Sequence, residues 1–394
     1  MAKFLHTADW QIGKPFAGIR DESKRAKVQN TRIEAIKRLG EAARTAGAEF
    51  VVVAGDLFDS SSADKATVSA ACSAIGRIGL PVYAIPGNHD HGGPGSVWNQ
   101  PFFLEERRNL APNLTVLLEA KPVECESAVL LPCPLLARSF TTDPTAWLRT
   151  PEAFAGLPAG KPRLVLAHGS TQTFDGRWQD EEEVGGASGI LDLTRIPWGE
   201  VDYLALGDWH GTKQVDAIGK VWFSGTPELD RFVKGGDHDP GNVLVVEALR
   251  GVPPRVERQP TSILKWHGLD FDFAADASLD EFQRRLAALL ETRAGEDLLE
   301  LTLGGSLGIE AASKLEAVLE TYEARLLRLK LVNRTRIAPT EEEIDALANR
   351  TSDPLISGVA RCLVEESNGE GEAAEVARIA LRELHAACKG GAPA

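Results

Sequence analysis

The sequence predicts an α/β protein, and three observations lead to this fold class. Up to about residue 250, short apolar runs rich in β-branched and aromatic residues alternate with longer amphipathic stretches, the pattern of buried strands connected by helices. Nearly every run ends on Asp, Asn or His beside a glycine, as strand ends that build a site do. The composition, 43% hydrophobic and 25% charged, is that of a folded, water-soluble protein.

The elements of the first part follow in order. The predicted buried strands, each too short for a helix, are FLHTAD, FVVVAGD, VYAIPGNHD, RLVLAHG, DYLALGDWH and VWFSGTP. Residues 22–46 and 64–78 are predicted to be amphipathic helices that return the chain to the sheet. Residues 92–112 and 171–199 are predicted to be longer loops, which often carry function.

A second domain is predicted because 394 residues exceed what one hydrophobic core usually holds. From about residue 262, LDFDFA, a helix opened by the capping box SLDE at 278–281, LLELTL, a helix near 309–322 and LLRLKLV predict a small βαβαβ unit. A second capping box, TEEE at 340–343, begins C-terminal helices. The last of these has an apolar stripe formed by Ala373, Val376, Ala377, Ala380, Leu381 and Leu384.

Composition excludes several classes of protein. No apolar run reaches the roughly 20 residues of a membrane span, and MAKFLHTADW lacks the features of a signal peptide, so the expected location is the cytoplasm. The five cysteines are scattered and show no CxxC spacing, which disfavours a disulfide framework or a thiolate zinc site. The net charge of −14 requires any contact with a polyanion to be local or assisted by cations.

The polar residues at strand ends form the candidate site. In chain order they are Asp9, Gln11, Asp56, Asp59, Asn88, His89, Asp90, His168, Asp208 and His210. Taken singly, each is explained as a turn former, a helix cap or a core histidine. Together they contain what two adjacent cations require, a carboxylate that can bridge them (Asp56) and several oxygen and imidazole ligands. The set predicts a two-metal phosphoesterase.

These residues resemble the calcineurin-like metallophosphoesterases, whose motifs are DxH, GD, GNHD or GNHE, a lone His before Gly, and GHxH. The segments LHTADWQIGK, VVVAGDLFD and AIPGNHD are most similar to the SbcD nuclease family of bacterial double-strand-break repair. The resemblance implies a four-layer αββα metallophosphoesterase sandwich (residues 1–262), a smaller α/β capping domain (263–338) and C-terminal helices (339–394). It also implies a metal-dependent DNA exonuclease and endonuclease that hydrolyses phosphodiester bonds by a two-metal mechanism with a metal-bridging hydroxide.

The same resemblance implies partners. DNA would be the substrate, and an SbcC-like SMC-type ATPase would dock on the C-terminal helices, whose apolar stripe could equally pack against this chain's own cap. A homodimer is a further implication, and no membrane partner is expected.

Carried over position by position, the resemblance implies two metal sites that share one carboxylate. One would be held by Asp9, Asp56 and His210, with Gln11 beside it. The other would be held by Asp56, Asn88, His168 and Asp208.

Two positions depart from the family pattern, because Gln11 and Asp208 stand where the family has histidine. Both changes replace an imidazole nitrogen with an oxygen ligand. Harder and more anionic ligation favours manganese or magnesium over zinc, so two divalent ions, Mn²⁺ or Mg²⁺, are the expected cofactors.

The catalytic roles also come from the resemblance. His89 would be the acid beside the scissile bond, oriented by a carboxylate such as Asp90. Asp59 lies where the family has a residue near the site, and the alternative is a turn residue that caps the next helix.

Basic residues give candidate DNA contacts. Lys14, Arg231 and Lys234 lie close in sequence to the site loops. The six cations of SKRAKVQNTRIEAIKR, which include Arg32 and Arg38, either bind phosphates or form a solvated helix face.

Two alternatives to a nuclease remain open. One is a phosphodiesterase or phosphatase that acts on a small phosphoester. The other is a weakly catalytic DNA-end-binding scaffold for an SMC-like ATPase.

Overall fold

The computed structural model describes residues 1–171, 189–233, 238–337, 340–350 and 353–390. The chain forms two compact units, Met1–Leu264 and Lys265–Ala394. Within the described residues, no helix has the length and apolar composition that crossing a membrane requires.

The first unit contains the following elements in its described residues. The strands are β1 (Ala2–Thr7), β2 (Phe50–Ala54), β3 (Val82–Ile85), β4 (Leu114–Val116), β5 (Val123–Glu124), β6 (Val129–Cys133), β7 (Arg163–His168), β8 (Ser170–Thr171), β9 (Ile190–Leu191), β10 (Tyr203–Gly207), β11 (Lys213–Gln214), β12 (Val221–Phe223), β13 (Asn242–Leu249) and β14 (Val252–Pro260). The α-helices are α1 (Glu22–Ala46), α2 (Lys65–Gly76) and α3 (Pro101–Leu110). Short 3₁₀-helices are Val97–Asn99, Ala146–Arg149, Pro151–Phe154 and Leu193–Arg195.

These elements confirm the six predicted strands and the first two predicted helices. The prediction of a loop over 92–112 was wrong in part, because α3 lies within it. Its proline begins the helix, and Phe103 packs edge-on against Trp98 and Phe58. A helix this short is marginal in isolation, so tertiary packing stabilises it.

Two sheets pack face to face in the first unit. The first has the order β14-β13-β1-β2-β3-β4 and the second β11-β12-β10-β7-β6-β5. Neighbouring strands from β1 to β4 are parallel, and so are β12, β10, β7 and β6. The carboxyl ends of β1, β2 and β3 therefore lie at one edge of the first sheet, and those of β7 and β10 at one edge of the second.

Three apolar layers hold the sandwich together. Phe4, Phe50, Leu164 and Tyr203 belong to the core between the sheets, while α1, α2 and α3 cover the outer face of the first sheet. This confirms the α/β fold with two sheets flanked by helices. On the outer face of the second sheet, the described flanking elements are 3₁₀-helices, which contribute Leu148 to the third layer.

A buried histidine links the two sheets. His6 on β1 accepts a hydrogen bond at Nδ1 from the hydroxyl of Tyr203 (2.9 Å), and its Nε2–H donates to the carbonyl of Leu206 (3.2 Å). Complete burial lowers the pKa of His6 from 6.5 to about 3, although the bond to Leu206 opposes the shift. The ring is therefore neutral in the folded protein.

This histidine predicts a loss of stability in acid. The unfolded chain binds a proton at His6 below pH 6.5 and the folded chain does not until about pH 3, so the free energy of unfolding falls through this window as pH falls. The steepest contribution is about 1.4 kcal/mol per pH unit. Urea unfolding at pH 7.5 and 5.0 should show a smaller difference for His6→Phe than for wild type, whereas Tyr203→Phe keeps it. Equal pH dependence in wild type and His6→Phe would contradict the assignment.

The second unit is a separate α/β fold. Its described elements are β15 (Lys265–Phe273), α4 (Ser278–Leu290), β16 (Asp297–Leu307), α5 (Ile309–Arg325), β17 (Arg328–Asn333), β18 (Arg336–Ile337), α6 (Glu341–Ala348), α7 (Pro354–Ser367) and α8 (Glu372–Gly390). The strands β15, β16 and β17 are parallel with β16 in the centre, which confirms the βαβαβ prediction. Phe271, Phe273 and Phe282 lie in its core.

The two predicted capping boxes have different outcomes. TEEE is confirmed, since Thr340 caps α6 and Glu343 accepts from the Thr340 amide. Glu343 also accepts from the amides of Ile309 and Glu310 at the start of α5. SLDE was wrong as a capping box, because α4 begins at Ser278 after Ala277, whose side chain makes no cap.

The apolar stripe of α8 lies on a slightly different face from the one predicted. Ala374, Ala377 and Leu381 are buried, and Leu381 packs in a cluster with residues of α5, α6 and α7. Val376 is 59% exposed, so the buried face includes Ala374 in its place. The helix thus packs within its own unit.

Candidate metal centre

The predicted ligands follow the carboxyl ends of parallel strands. Asp9, Asp56 and Asp208 come just after β1, β2 and β10, and all three have positive φ angles of 53°, 54° and 102°. Gln11 has φ 41°. This conformation is rare for residues other than glycine and is retained where the surrounding structure enforces it, most often at functional sites. The Asp9 amide donates to the Gly55 carbonyl (3.1 Å) and the Gln11 amide to the Asp56 carbonyl (2.8 Å), so the first two strand-end turns support each other.

One group of ligand atoms converges. Asp9, Asp56 and His168 each offer an atom within 4.8 Å of the others, and all three side chains are buried. The Nε2 atom of His168 lies 2.8 Å from Asn88 Oδ1, 3.4 Å from Asp56 Oδ2 and 3.8 Å from Asp208 Oδ1. One imidazole nitrogen thus faces oxygens from three different strand ends.

The imidazole of His168 is oriented for ligation. Its Nδ1–H donates to the carbonyl of Ala54 at 2.8 Å, which directs Nε2 toward the cluster. Histidine ligands in metal proteins are usually held this way, by a carbonyl or carboxylate on the other ring nitrogen.

The electrostatics of the cluster call for a cation. Burial raises the pKa of Asp9 well above its ordinary value. Burial opposes ionisation of Asp56 as well, but His168 lowers the pKa of Asp56 overall. Burial would lower the pKa of His168, yet Asp56, Asp9 and Asp208 together raise it well above 6.5. Asp9 and His168 therefore retain protons where a divalent ion would neutralise the carboxylates instead. The set of oxygen and imidazole donors fits such an ion.

Glycines at the strand ends make this convergence possible. A Cβ atom on Gly55 would lie 2.2 Å from His168 Nδ1, and one on Gly87 would lie 2.2 Å from Asp56 Oδ1. Both distances are far inside van der Waals contact, so a side chain at either position would displace a ligand. The glycines that accompany the polar residues in sequence are thus part of the site.

The predicted metal site that includes His210 and Gln11 has a different arrangement. Gln11 accepts a hydrogen bond at Oε1 from Lys14 Nζ (3.0 Å), and its amide nitrogen lies 3.4 Å from His210 Nε2. The Nδ1–H of His210 faces Asp230 Oδ2 at 3.0 Å. Burial lowers the pKa of His210, against the influence of Asp230, so this ring is neutral.

Asp230 is a site residue that the sequence reasoning missed. Its carboxylate, with a side chain 1% exposed, contacts Lys14 (2.8 Å), Arg231 (3.1 Å) and His210 (3.0 Å). Burial opposes its ionisation, but Arg231, His210 and Lys14 lower the pKa of Asp230 well below the usual range. It lies three residues beyond the predicted strand VWFSGTP and next to no glycine, so its sequence signals were weak: this position and its neighbour Arg231.

Two of the three predicted DNA contacts form ion pairs within the site. Lys14 and Arg231 have their charged groups on Asp230, with side chains 14% and 16% exposed. Lys234 lies outside the described residues.

His89 lies beside the cluster, and the Asp59 carbonyl and the Asp56 carboxylate hold it. Its Nδ1–H donates to the backbone carbonyl of Asp59 (2.9 Å), and its amide donates to Asp56 Oδ1 (2.9 Å). The Asp90 carboxylate accepts instead from the amides of Gly87 (2.7 Å) and Phe58 (3.0 Å). The carbonyl of Asp59 thus holds the ring at Nδ1, and Asp90 closes the GNHD loop through these two amides; orientation of His89 by a carboxylate such as Asp90 stays a prediction.

Burial also changes the ionisation of the two neighbouring carboxyls. It raises the pKa of Asp90 to about 7, helped by the nearby charge of Asp56. It raises the pKa of Asp59 too, although Lys14 opposes that shift.

Two cations of the basic helix point inward. Arg32, 3% exposed, donates to the carbonyls of Trp10 (2.8 Å), Asp9 (3.1 Å) and Glu228 (3.1 Å) and to Thr226 Oγ1 (3.2 Å). Arg38 binds the carboxylate of Glu228 at 2.6 Å. Arg32 and Arg38 therefore lie on neither a phosphate-binding face nor a solvated face of the helix, the two alternatives predicted. Arg32 instead anchors the loop that carries Asp9.

Asp208 provides a test of metal preference. Its Oδ2 accepts from Ser170 Oγ (2.9 Å), and its amide donates to Asp9 Oδ1 (3.1 Å). We expect Asp208→His to shift preference from manganese toward zinc, since an imidazole nitrogen replaces an anionic oxygen. Competitive titration of the metal-free protein with both ions measures the shift, with Ser170→Ala as a control that keeps the ligands. An unchanged preference would remove Asp208 from the ligand set.

Comparison with known proteins agrees with this geometry. A family model described as calcineurin-like phosphoesterase matches residues 2–218. The chain is 30% identical over 93 residues to the uncharacterized metallophosphoesterase YhaO of Bacillus subtilis (strain 168), a match that spans 22% of this chain and 23% of that protein.

Solved structures are more distant. The crystal structure of TT1561 of Thermus thermophilus is 14% identical, with a TM-score of 0.38 over 66% of this chain and 99% of that one. A second crystal structure is 12% identical, with a TM-score of 0.39 over 65% of this chain and 98% of its own.

Proposed function

This chain belongs to the calcineurin-like phosphoesterase family, and from that premise we propose that it is a metal-dependent nuclease that hydrolyses phosphodiester bonds of DNA. Metal-dependent hydrolysis of phosphoesters is the chemistry that the family implies. The observation that carries the proposal is the buried group of Asp9, Asp56 and His168, whose ligand atoms lie within 4.8 Å of one another.

The choice of DNA as substrate rests on sequence similarity. LHTADWQIGK, VVVAGDLFD and AIPGNHD resemble the corresponding segments of the SbcD nuclease family, and this resemblance is the ground on which we propose DNA as the substrate. The second unit, with its three parallel strands and two crossover helices, supports the proposal because a phosphatase for small esters needs no such addition.

The chemistry follows from the residues of the site. A divalent ion at Asp9, Asp56, Asn88, His168 and Asp208 would lower the pKa of a water molecule and neutralise phosphate charge. The three carboxylates, the amide and the single imidazole favour Mn²⁺ or Mg²⁺. The carbonyl of Ala54 holds the His168 ring by a hydrogen bond, and the lack of a side chain at Gly55 leaves the space that the ring occupies.

His89 is the group we assign to the leaving oxygen. With Nδ1–H bound to the Asp59 carbonyl, the second proton of the imidazolium is on Nε2. That proton can pass to the leaving alkoxide near neutral pH, where an imidazole exchanges protons readily.

The same similarity leads us to propose cytoplasmic double-strand-break repair with an SbcC-like SMC-type ATPase docked on the C-terminal helices, and a homodimer. The exposed apolar side chains of α7 and α8 support the docking proposal; they are Leu355, Val359, Val376 and Ile379. Co-purification of the two proteins, with Leu355→Glu as the disrupting variant, tests it.

The experiment that tests the function compares two substrates. The protein with Mn²⁺ is incubated with linear duplex DNA and, separately, with a chromogenic phosphodiester, and nucleotide release is measured with and without a chelator. We expect chelator-sensitive DNA cleavage. Hydrolysis of the small ester alone would favour a small-molecule phosphodiesterase, and binding of DNA ends without hydrolysis would favour the scaffold.

A further inference from the structure

In the half of the site around Gln11 and His210, the side-chain oxygen of Gln11 is already engaged by a hydrogen bond. The Oε1 atom of Gln11 accepts from Lys14 Nζ at 3.0 Å, so an ammonium group lies against the atom that would bind a metal. The amide nitrogen of Gln11 lies 3.4 Å from His210 Nε2, and an amide N–H is a donor that cannot ligate a cation. The imidazole lone pair of His210 is thus engaged by Gln11.

The charges on this side point the same way. Lys14 lies 2.8 Å and Arg231 3.1 Å from Asp230, so two cations share one buried carboxylate next to His210. The Lys14 ammonium, 3.0 Å from Gln11 Oε1, would repel a divalent ion bound to the same oxygen.

The ligands that remain gather on the other side. Among the described residues, Asp9, Asp56 and His168 are the one group of three His, Cys, Asp or Glu side chains whose ligand atoms lie within 4.8 Å of one another. Asp9, the residue that should belong to the His210 side, is therefore close to His168. His210 itself is bound to Asp230 at Nδ1, which fixes its ring on the lysine side.

We propose that this chain binds a single divalent ion, at Asp9, Asp56 and His168, and that the ammonium of Lys14 replaces the second cation as a fixed positive charge beside the phosphate. Gln11 and Asp230 position Lys14, since each holds its Nζ by a hydrogen bond. The proposal rests on the proposed function only in requiring one bound ion, and it replaces the two-ion expectation drawn from family resemblance.

The experiment measures metal stoichiometry, which does not depend on activity. Metal-free full-length protein is dialysed against Mn²⁺. The number of metal ions bound per chain is then measured by inductively coupled plasma mass spectrometry and by native mass spectrometry. Electron paramagnetic resonance then distinguishes an isolated Mn²⁺ ion from an exchange-coupled pair. We expect one ion per chain and the spectrum of an isolated ion.

A double variant tests the role assigned to Lys14. Gln11→His with Lys14→Met restores an imidazole ligand and removes the ammonium, so we expect two ions per chain and a coupled spectrum. Lys27→Met, which removes an equal charge from an exposed position of α1, should keep one ion. Circular dichroism and thermal unfolding confirm that each variant is folded.

Each outcome decides the proposal. Two ions on the wild-type protein would overturn it and leave the proposed function intact. One ion on the folded double variant would refute the claim that Lys14 and Gln11 exclude the second ion. No bound metal on wild type, with DNA cleavage unaffected by a chelator, would overturn the proposed function itself.

Discussion

Replacing Asp56 with asparagine is expected to reduce phosphodiester hydrolysis by more than about a hundredfold. Loss of a residue that only hydrogen-bonds to a metal ligand costs up to about a hundredfold, and Asp56 is assigned as a ligand itself. Asp56 lies 3.4 Å from His168 Nε2 and accepts from the His89 amide at 2.9 Å, so it contacts both the candidate ligand and the candidate acid. Asparagine keeps the shape of the side chain but removes its charge, and weaker metal binding follows from the loss of that charge.

The measurement combines nucleotide release from linear duplex DNA with Mn²⁺ binding to the same preparation. The control is Asp64→Asn, an exposed acid that caps α2, because asparagine caps a helix as well as aspartate does. A wild-type rate for Asp56→Asn would exclude Asp56 from the metal centre and with it the proposed chemistry.

Replacing Arg32 with methionine should cause the largest loss of stability, about 3–5 kcal/mol, because the carbonyls of Asp9, Trp10 and Glu228 lose their buried donor and each unsatisfied buried acceptor costs about 1–3 kcal/mol. The loop that carries Asp9 would then lose its anchor, and metal binding should weaken as well. The stability of Arg32→Lys should lie between those of wild type and Arg32→Met, since an ammonium cannot reproduce the guanidinium fork.

Urea unfolding of wild type, Arg32→Met and Arg32→Lys measures the effect, with Lys27→Met as a control on the exposed side of the same helix. A loss of less than about 1 kcal/mol, the usual value for a single hydrogen bond, would show that Arg32 is not the anchor of this loop.

The fold was largely predictable because it depends on local patterns. Short apolar runs identified β1, β2, β3, β7, β10 and β12, and helical periodicity identified α1 and α2. The helix α3 was missed because Phe103 packs against Trp98 and Phe58, and such a contact has no signature in a window of neighbouring residues.

The candidate site divided in the same way. Asp9, Asp56 and His168 were predicted as ligands from their places after strands, and the structure brings their ligand atoms together. Asp230 and Arg32 were missed as site residues because their partners are distant in the chain. Asp230 binds Lys14, 216 positions away, and Arg32 binds the carbonyl of Trp10, 22 positions away.

The sequence by itself determined the fold class, the strand ends and the residue types that gather there, because strand and turn preferences act between neighbours and parallel strands bring their carboxyl ends to one edge. Tertiary structure alone decided which polar atoms face one another. The Gln11 side chain could have offered its oxygen to a metal, but folding places the ammonium of Lys14 against that oxygen and Asp230 against Lys14. A hydrogen bond depends on distance and direction between side chains, and those are set only when the sheets and loops have packed.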